Sequence, residues 1–195
     1  MKYFQKYILV GFYLCLLVSC AHDKNSEKIE LLKKIITDNL GEKLILPDSI
    51  QIYKLHTTNI VDSTSIFDSP YKIYSHINVS CGACVMNIDQ WSDLIPEFQQ
   101  YKVPIILICK SDDNFELIKH LDISEQIQKF PYPLFFDKKD NFIKKNSFMH
   151  DVHEFRTVLT DRSDNILVMG NPLASKMTKK LYLDFIKNNR LPNNQ

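Results

Sequence analysis

Glycine is scarce in this sequence, which has four glycines in 195 residues. A phosphate-binding loop needs several closely spaced glycines, so the sequence excludes a nucleotide site of that kind. It also lacks the glycine-flanked serine of hydrolases and any pair of carboxylates arranged for acid–base catalysis. The chemistry must therefore come from other residue types.

An excess of charge of one sign is also absent, because 24 basic and 23 acidic residues give a formal net charge of +1. Nucleic-acid binding needs a concentrated basic face, so we expect no nucleic-acid partner. Hydrophobic residues make up 45% of the chain and charged residues 24%, which is typical of a globular protein. The length suffices for one domain with a full core.

The chain has five cysteines, and two of them form the motif Cys81-Gly-Ala-Cys84. The motif lies between an extended apolar stretch, 72–79, and a run with helical periodicity over about 85–100. At a helix start, unpaired N–H groups and a partial positive charge favour a thiolate. The i, i+3 spacing places both sulfurs on one face of the first turn. The motif therefore predicts thiol–disulfide chemistry.

The first twenty residues predict export. Lys2 and Lys6 precede an apolar stretch of twelve residues, 7–18, which is shorter than the about 20 residues of a transmembrane helix. The stretch ends in Leu-Val-Ser-Cys20, which resembles the lipobox of bacterial lipoprotein signals. The resemblance implies that 1–19 is a removed signal peptide and that Cys20 carries a lipid through a thioether. An ordinary signal peptide and an uncleaved anchor are the alternatives.

Lipidation at Cys20 would set the compartment. We expect a membrane-anchored lipoprotein of the cell envelope, at the outer membrane and facing the periplasm or the exterior. Disulfides persist outside the cytoplasm. The remaining thiols would be those of Cys81, Cys84 and Cys109, which indicates one pair and one buried single cysteine.

The rest of the chain predicts one α/β domain. Polar residues over 20–28 predict a tether, and 29–47 is predicted as an N-terminal helix and linker, with the helix packed on its own domain. The domain itself is predicted over 48–190. Its predicted order is two strands, the helix after the cysteines, a strand, a helix, a strand, a β-hairpin and a last helix. The continuous apolar run 104–109 predicts a central strand buried on both faces.

Periodicity also predicts which side chains face the core. In the helix after the cysteines, Trp91 is predicted as a core anchor and Pro96 as a kink or restart. His150 and His153 are predicted in a solvated loop. The predicted inward face of the last helix consists of Met177, Leu181, Phe185 and Ile186.

The element order and the cysteine motif together resemble the thioredoxin fold over about 47–187, and more narrowly the TlpA/redoxin-like exported lipoproteins of the Bacteroidetes type. The resemblance implies a three-layer α/β fold, with a mixed central sheet, helices on both faces and an N-terminal helix extension. It also implies a cofactor-free oxidoreductase that exchanges disulfides with protein thiols or disulfides outside the cytoplasm. In that family pattern Cys81 is the attacking nucleophile and Cys84 the resolving thiol of a redox disulfide.

Three positions depart from the thioredoxin pattern. Ser80 stands where thioredoxins carry a tryptophan, Ser75 stands where they carry a buried aspartate, and Phe155-Arg156-Thr157 replaces the stretch with the cis-proline. These departures leave open a second interpretation. In it, the chain is a non-catalytic thioredoxin-like lipoprotein that binds a partner or ligand, and its cysteines are structural or vestigial.

A zinc half-site is another interpretation of two cysteines at this spacing. Structural zinc needs four ligands. The sequence has no second cysteine pair, so the two further ligands would have to come from His76, His150 and His153. We therefore expect no metal. A static disulfide also remains open, although closing so short a loop constrains the unfolded chain only weakly.

Overall fold

The computed structural model describes residues 26–55, 66–127 and 130–188. The predicted signal peptide, Cys20 and most of the predicted tether lie outside the described residues. The chain divides into two compact units, Met1–Asp38 and Asn39–Gln195, which are described separately. Within the described residues, no helix is both long and apolar enough to cross a membrane.

Helix α1 covers residues 26–39 and begins earlier than the predicted start at Ile29. Ile35 is buried, whereas Ile29 and Leu31 are 45% and 52% exposed. The helix ends before Gly41, whose φ of +84° is the left-handed conformation that closes helices.

The second unit contains the predicted strands and helices in the predicted order, together with two further short helices. Its strands are β1 (Gln51–Tyr53), β2 (Tyr71–Asn78), β3 (Ile105–Lys110), β4 (Leu134–Phe136), β5 (Thr157–Asp161) and β6 (Ile166–Met169). Its helices are α2 (Gly82–Gln99), α3 (Glu116–Ile123), α4 (Asn141–Lys145), α5 (Phe148–Asp151) and α6 (Lys176–Asn188), with a 3-10 turn at His153–Phe155.

The strands form one mixed sheet in the order β1-β4-β3-β2-β5-β6. The three strands at its centre, β4, β3 and β2, are parallel, and the other pairings are antiparallel. Strand β3 lies between two parallel neighbours, and its residues 105–109 are buried. A continuous apolar run suits such a position because both faces of the strand are covered. The predicted mixed sheet and its buried central strand are confirmed.

Helix α2 is longer than predicted at its amino end, because it begins at Gly82, directly after Cys81. Its core-facing side chains, among which Trp91 is 1% exposed, follow helical periodicity. Pro96 lies inside the helix but does not restart it. A proline this close to the end leaves only the carbonyl of Ser92 without its intrahelical donor, so the helix continues to Gln99.

The face that helix α6 turns to the core matches the predicted one only in part: Ile186 is buried as predicted, but Met177 and Leu181 are not. Tyr182 and Ile186 are buried, whereas Met177 and Leu181 are 81% and 53% exposed. The Tyr182 hydroxyl donates to the carbonyl of Gly170 at 2.8 Å. This buried hydrogen bond fixes the rotation of the helix, which the apolar pattern alone does not define.

The sequence predicts a solvated loop around His150 and His153, but the segment between β4 and β5 contains α4, α5 and the 3-10 turn. Phe142 and Phe148 on these short helices are buried. The side chain of His150 is 78% exposed, so the predicted solvation of this residue is confirmed while its loop is not. Helices of five and four residues are too short to show a periodicity in the sequence.

A buried lysine ties the start of β2 to the β5–β6 turn. The side chain of Lys72 is 1% exposed, and its ammonium lies 2.6 Å from Oδ1 of Asp164. It also donates to the carbonyls of Phe67 and Arg162, at 3.2 and 2.9 Å. The Tyr74 hydroxyl donates to the same Asp164 oxygen at 2.8 Å. The three donors of the ammonium therefore have partners.

Candidate active site at the start of helix α2

Cys81 and Cys84 form a disulfide at the amino end of α2. The S–S distance is 2.16 Å, the χ3 angle is 82° and the Cα atoms are 5.2 Å apart. Cys81 has extended backbone angles and is the N-cap residue, and its Sγ accepts the backbone N–H of Cys84 at 3.2 Å. The strand-to-helix junction therefore brings together the two cysteines that the motif singles out.

The two cysteines differ in exposure. Cys81 and the two residues after it are exposed, whereas Cys84 is half-buried. A Cβ built on Gly82 would meet no atom within 4 Å, so the space beside the exposed cysteine is open. The next outward-facing side chain of the helix, Met86, is 60% exposed. An approaching molecule would thus meet Cys81 before Cys84.

The loop that leads into Cys81 is held by a hydrogen-bond network. The backbone N–H and the hydroxyl of Ser80 donate to Oδ1 of Asn78, at 2.9 and 2.7 Å. The Ser80 hydroxyl in turn accepts the backbone N–H of Asp112, and the Asn78 amide donates to Oδ2 of Asp112 at 3.1 Å. This brace, formed by Asn78, Ser80 and Asp112, joins the loop after β2 to the loop after β3.

Sequence reasoning missed the brace, although a signal for it exists. Polar side chains follow each of the parallel strands β2, β3 and β4, and the carboxyl ends of parallel strands share one edge of a sheet. Asn78 ends β2, Lys110 ends β3, and Asp140 follows β4. The Lys110 ammonium lies 3.9 Å from carboxylate oxygens of both Asp112 and Asp140.

His76 is buried at this edge and is paired with Asp140. Its Nε2 lies 2.8 Å from Oδ1 of Asp140, with 0% of the histidine side chain exposed. Burial lowers the pKa of His76 from 6.5, and the charges of Arg156 and Lys110 act in the same direction while Asp140 opposes them. Its Nδ1 is buried without a hydrogen-bond partner. The neutral ring fits this environment, because a proton on Nδ1 would be an unpaired donor.

The two other departures from the thioredoxin pattern are also located. Ser75 is buried, and its hydroxyl is 2.8 Å from that of Thr157 on the neighbouring strand. Arg156 precedes β5, and its guanidinium donates to the carbonyl of Met149 and contacts Nε2 of His153 at 2.8 Å. No cis peptide bond occurs among the described residues.

The histidines considered as zinc ligands are not brought together at the cysteines. His76 contacts Asp140, His153 contacts Arg156 and His150 is exposed. Over the described part of the chain, no group of three histidine, cysteine, aspartate or glutamate side chains could hold a metal.

Cys109 is a free, buried thiol in β3. Its side chain is surrounded by the core, and burial raises the pKa of the thiol well above its usual range. A thiol that stays protonated and has no access to solvent does not take part in exchange. The prediction of a single buried cysteine is confirmed.

A scan against protein-family models finds no match, and neither does a comparison with curated proteins. Solved structures do match. A hypothetical protein from Sinorhizobium meliloti 1021 aligns with a TM-score of 0.52 at 13% identity, over 80% of this chain and 89% of that chain. A thioredoxin-like protein from Bacteroides caccae aligns with a TM-score of 0.44 at 14% identity, over 86% of this chain and 56% of that chain. A thiol:disulfide interchange protein from Bacteroides sp. aligns with a TM-score of 0.46 at 12% identity, over 80% of this chain and 96% of that chain.

At 13% identity, the match to the Sinorhizobium meliloti protein indicates a similar fold and nothing more. In this chain, parallel strands β2 and β3 are joined through the helix that begins with the cysteine pair, and the antiparallel β5–β6 hairpin and α6 follow. This arrangement is the one that the resemblance to thioredoxins implied. The chain therefore has a thioredoxin-like fold.

Proposed function

We propose that this chain is an exported, lipid-anchored thiol–disulfide oxidoreductase whose reactive pair is Cys81 and Cys84. The observation that carries the proposal is the disulfide between these residues at an exposed helix N-terminus. Closing so short a loop stabilises a fold only weakly, so stabilisation of the fold gives little reason for a disulfide at this position. An accessible disulfide at the positive end of a helix is, by contrast, suited to exchange.

The reaction proceeds in two displacements. In the reduced protein, the Cys81 thiolate attacks one sulfur of a partner disulfide, which forms a mixed disulfide and releases the other partner sulfur as a thiolate. The Cys84 thiolate then attacks Sγ of Cys81, which releases the second partner thiolate and closes the Cys81–Cys84 bond. Two electrons pass to the partner, and the two partner thiolates take up protons. The same steps in reverse oxidise a partner dithiol.

The geometry supports this division of roles. Cys81 is the exposed sulfur and the N-cap, where the helix dipole and free N–H groups stabilise a thiolate. The first turn of α2 contains no acidic residue that would weaken this effect. Cys84 lies one turn further in and is half-buried, which keeps it from outside partners but within reach of Cys81.

Trapping tests the proposal. In a Cys84→Ser variant the second displacement is impossible, so mixed disulfides through Cys81 should accumulate in the cell envelope and disappear on reduction. The matched Cys81→Ser variant should trap far less, because Cys84 is half-buried. Cys109→Ala should trap nothing and leaves the reactive pair intact. Absence of any trapped partner, together with no reduction of a test disulfide by the wild type, would refute the proposal.

A second candidate is the non-catalytic binding module. Arg156 favours it, because a guanidinium anchored at the start of β5 stands where thioredoxins present a proline to their substrates. Equilibration with glutathione and differential alkylation of Cys81 and Cys84 separates the two. An oxidoreductase should exchange at about −120 to −270 mV, whereas a structural disulfide should resist exchange down to about −300 mV.

Anchoring through Cys20 is a separate part of the proposal, and the residues before 26 lie outside the described structure. It is supported by the lipobox-like sequence at the end of a short apolar segment that follows two lysines. A Cys20→Ser variant should lose incorporation of a labelled fatty acid and leave the membrane fraction. Cys15→Ser, a change within the same segment, should retain both properties. Equal labelling of the two variants would refute lipidation at Cys20.

A further inference from the structure

Helix α6 carries an apolar face that the second unit leaves uncovered. Met177 and Leu181 are 81% and 53% exposed. At about 100° per residue, these two side chains lie about 40° apart around the helix, away from the buried Tyr182. Two large apolar side chains at adjacent exposed positions on one helix are a candidate contact surface.

This face continues into a cavity beside the helix. Phe185, one turn beyond Leu181, packs edge to face on Tyr71, with ring centroids 6.3 Å apart. These two rings and Leu167 line a cavity of about 440 Å³, whose lining also includes Asp161 and Arg162. We define the α6 surface as Met177, Leu181, Phe185 and this cavity.

Three exposed lysines border the α6 surface on one side. About 100° per residue places them together beside Met177: Lys176, Lys180 and Lys187. Helix α6 has one acidic residue, Asp184, which the same rotation places between Met177 and the lysines. At the cavity, the charge of Arg162 is opposed by that of Asp161. The α6 surface therefore keeps a net positive charge along its lysine side, which complements a surface that is both negatively charged and able to accept apolar side chains.

We propose that the α6 surface docks on an anionic phospholipid bilayer. Met177 and Leu181 would enter the boundary between headgroups and acyl chains, and the lysines would contact lipid phosphates, as in interfacial helices. The inference rests on the membrane attachment in the proposed function. A chain already tethered to the bilayer has a high effective concentration there, so a small surface suffices to orient it.

Docking in this manner would place the redox disulfide away from the lipid. Strand β2 begins at Tyr71, beside the cavity, and ends at Asn78, three residues before Cys81. Eight extended residues span roughly 26 Å at about 3.3 Å each. The exposed Cys81 would then face the aqueous side, which selects soluble exported proteins as partners over membrane-embedded ones.

Footprinting on vesicles tests the inference with the full chain. Vesicles of phosphatidylcholine with phosphatidylglycerol are compared with vesicles of phosphatidylcholine alone, and flotation confirms attachment. Oxidation of Met177 by hydroxyl radicals and acetylation of Lys180 should fall by at least about fivefold on the anionic vesicles. Met86, which is exposed beside the disulfide, serves as the internal reference and should be oxidised equally on both.

Variants identify the surface. Leu181→Gln combined with Lys180→Glu should restore labelling of Met177 on anionic vesicles. Ile123→Gln, at a 68% exposed apolar position on α3, should not. Equal labelling of floated chain on both vesicle types would overturn the inference while leaving the proposed function intact. Protection of Met177 that rises with protein concentration without vesicles would overturn it in favour of a second copy. Failure to float would contradict the anchoring itself.

Discussion

We expect the folded state to lose stability as the pH falls below about 6.5, because of His76. Burial holds the pKa of this histidine below 6.5 in the folded chain, while the unfolded chain keeps the ordinary value. Between these two pKa values the unfolded chain binds the proton and the folded chain does not. The free energy of unfolding is therefore unaffected above the unfolded pKa and falls as the pH is lowered toward the folded one.

The magnitude follows from one proton. Where the two states differ by a full proton at His76, the slope of the free energy of unfolding is about 1.4 kcal/mol per pH unit. The contact with Asp140 at 2.8 Å works against the effect, because a carboxylate favours the charged ring. It does not reverse the direction, since the side chain is fully buried and a proton on Nδ1 would find no acceptor.

Urea unfolding of the wild type and a His76→Gln variant at half-unit steps from pH 8 to pH 5 measures this effect. Glutamine keeps a donor for Asp140 but does not titrate. The variant should be less stable than the wild type at pH 8, and the difference should shrink as the pH falls. Parallel stability curves for the two proteins would refute the reasoning. A difference that widens at acid pH would show that Asp140 outweighs burial.

Other side chains give further predictions. Lys72→Met should lower the free energy of unfolding by about 3–5 kcal/mol in urea titrations, because it leaves a carboxylate and two carbonyls without their cation. The matched Lys180→Met, at an exposed position, should change it by less than about 0.5 kcal/mol. Ser80→Ala should cost about 1 kcal/mol and speed hydrogen exchange at the Asp112 amide, and unchanged exchange there would contradict the brace. Cys109 should resist iodoacetamide in native buffer at pH 8 and react fully in urea, as mass spectrometry can show.

The parts of the fold that a short window of sequence determines were predicted well. The run 104–109 is apolar at every position, and a run this short suits a strand that is covered on both faces. The placement of Cys81 at a helix start follows from an extended stretch on one side and a helical period on the other. The β5–β6 hairpin follows from two apolar runs around a polar turn. Each of these signals is local.

The features that sequence reasoning missed depend on contacts between distant residues. The rotation of α6 is fixed by the hydrogen bond from Tyr182 to Gly170, whereas the apolar pattern fits Met177 inside equally well. The pairing of His76 with Asp140 joins residues 64 positions apart. The register of β1 against β4 likewise brings together segments that share no local pattern.

The brace between Ser80 and Asp112 spans 32 positions along the chain. The bonds between the two loops can form only after β3 has paired with β2, because Ser80 and Asp112 follow the carboxyl ends of these two neighbouring strands. As the chain grows from its amino end, both cysteines are present before the loop that leads into them can become rigid. A fragment that ends before β3 would thus carry both cysteines after a loop that lacks the brace. Its sulfurs could react, but the loop would have no fixed shape with which to distinguish one partner from another.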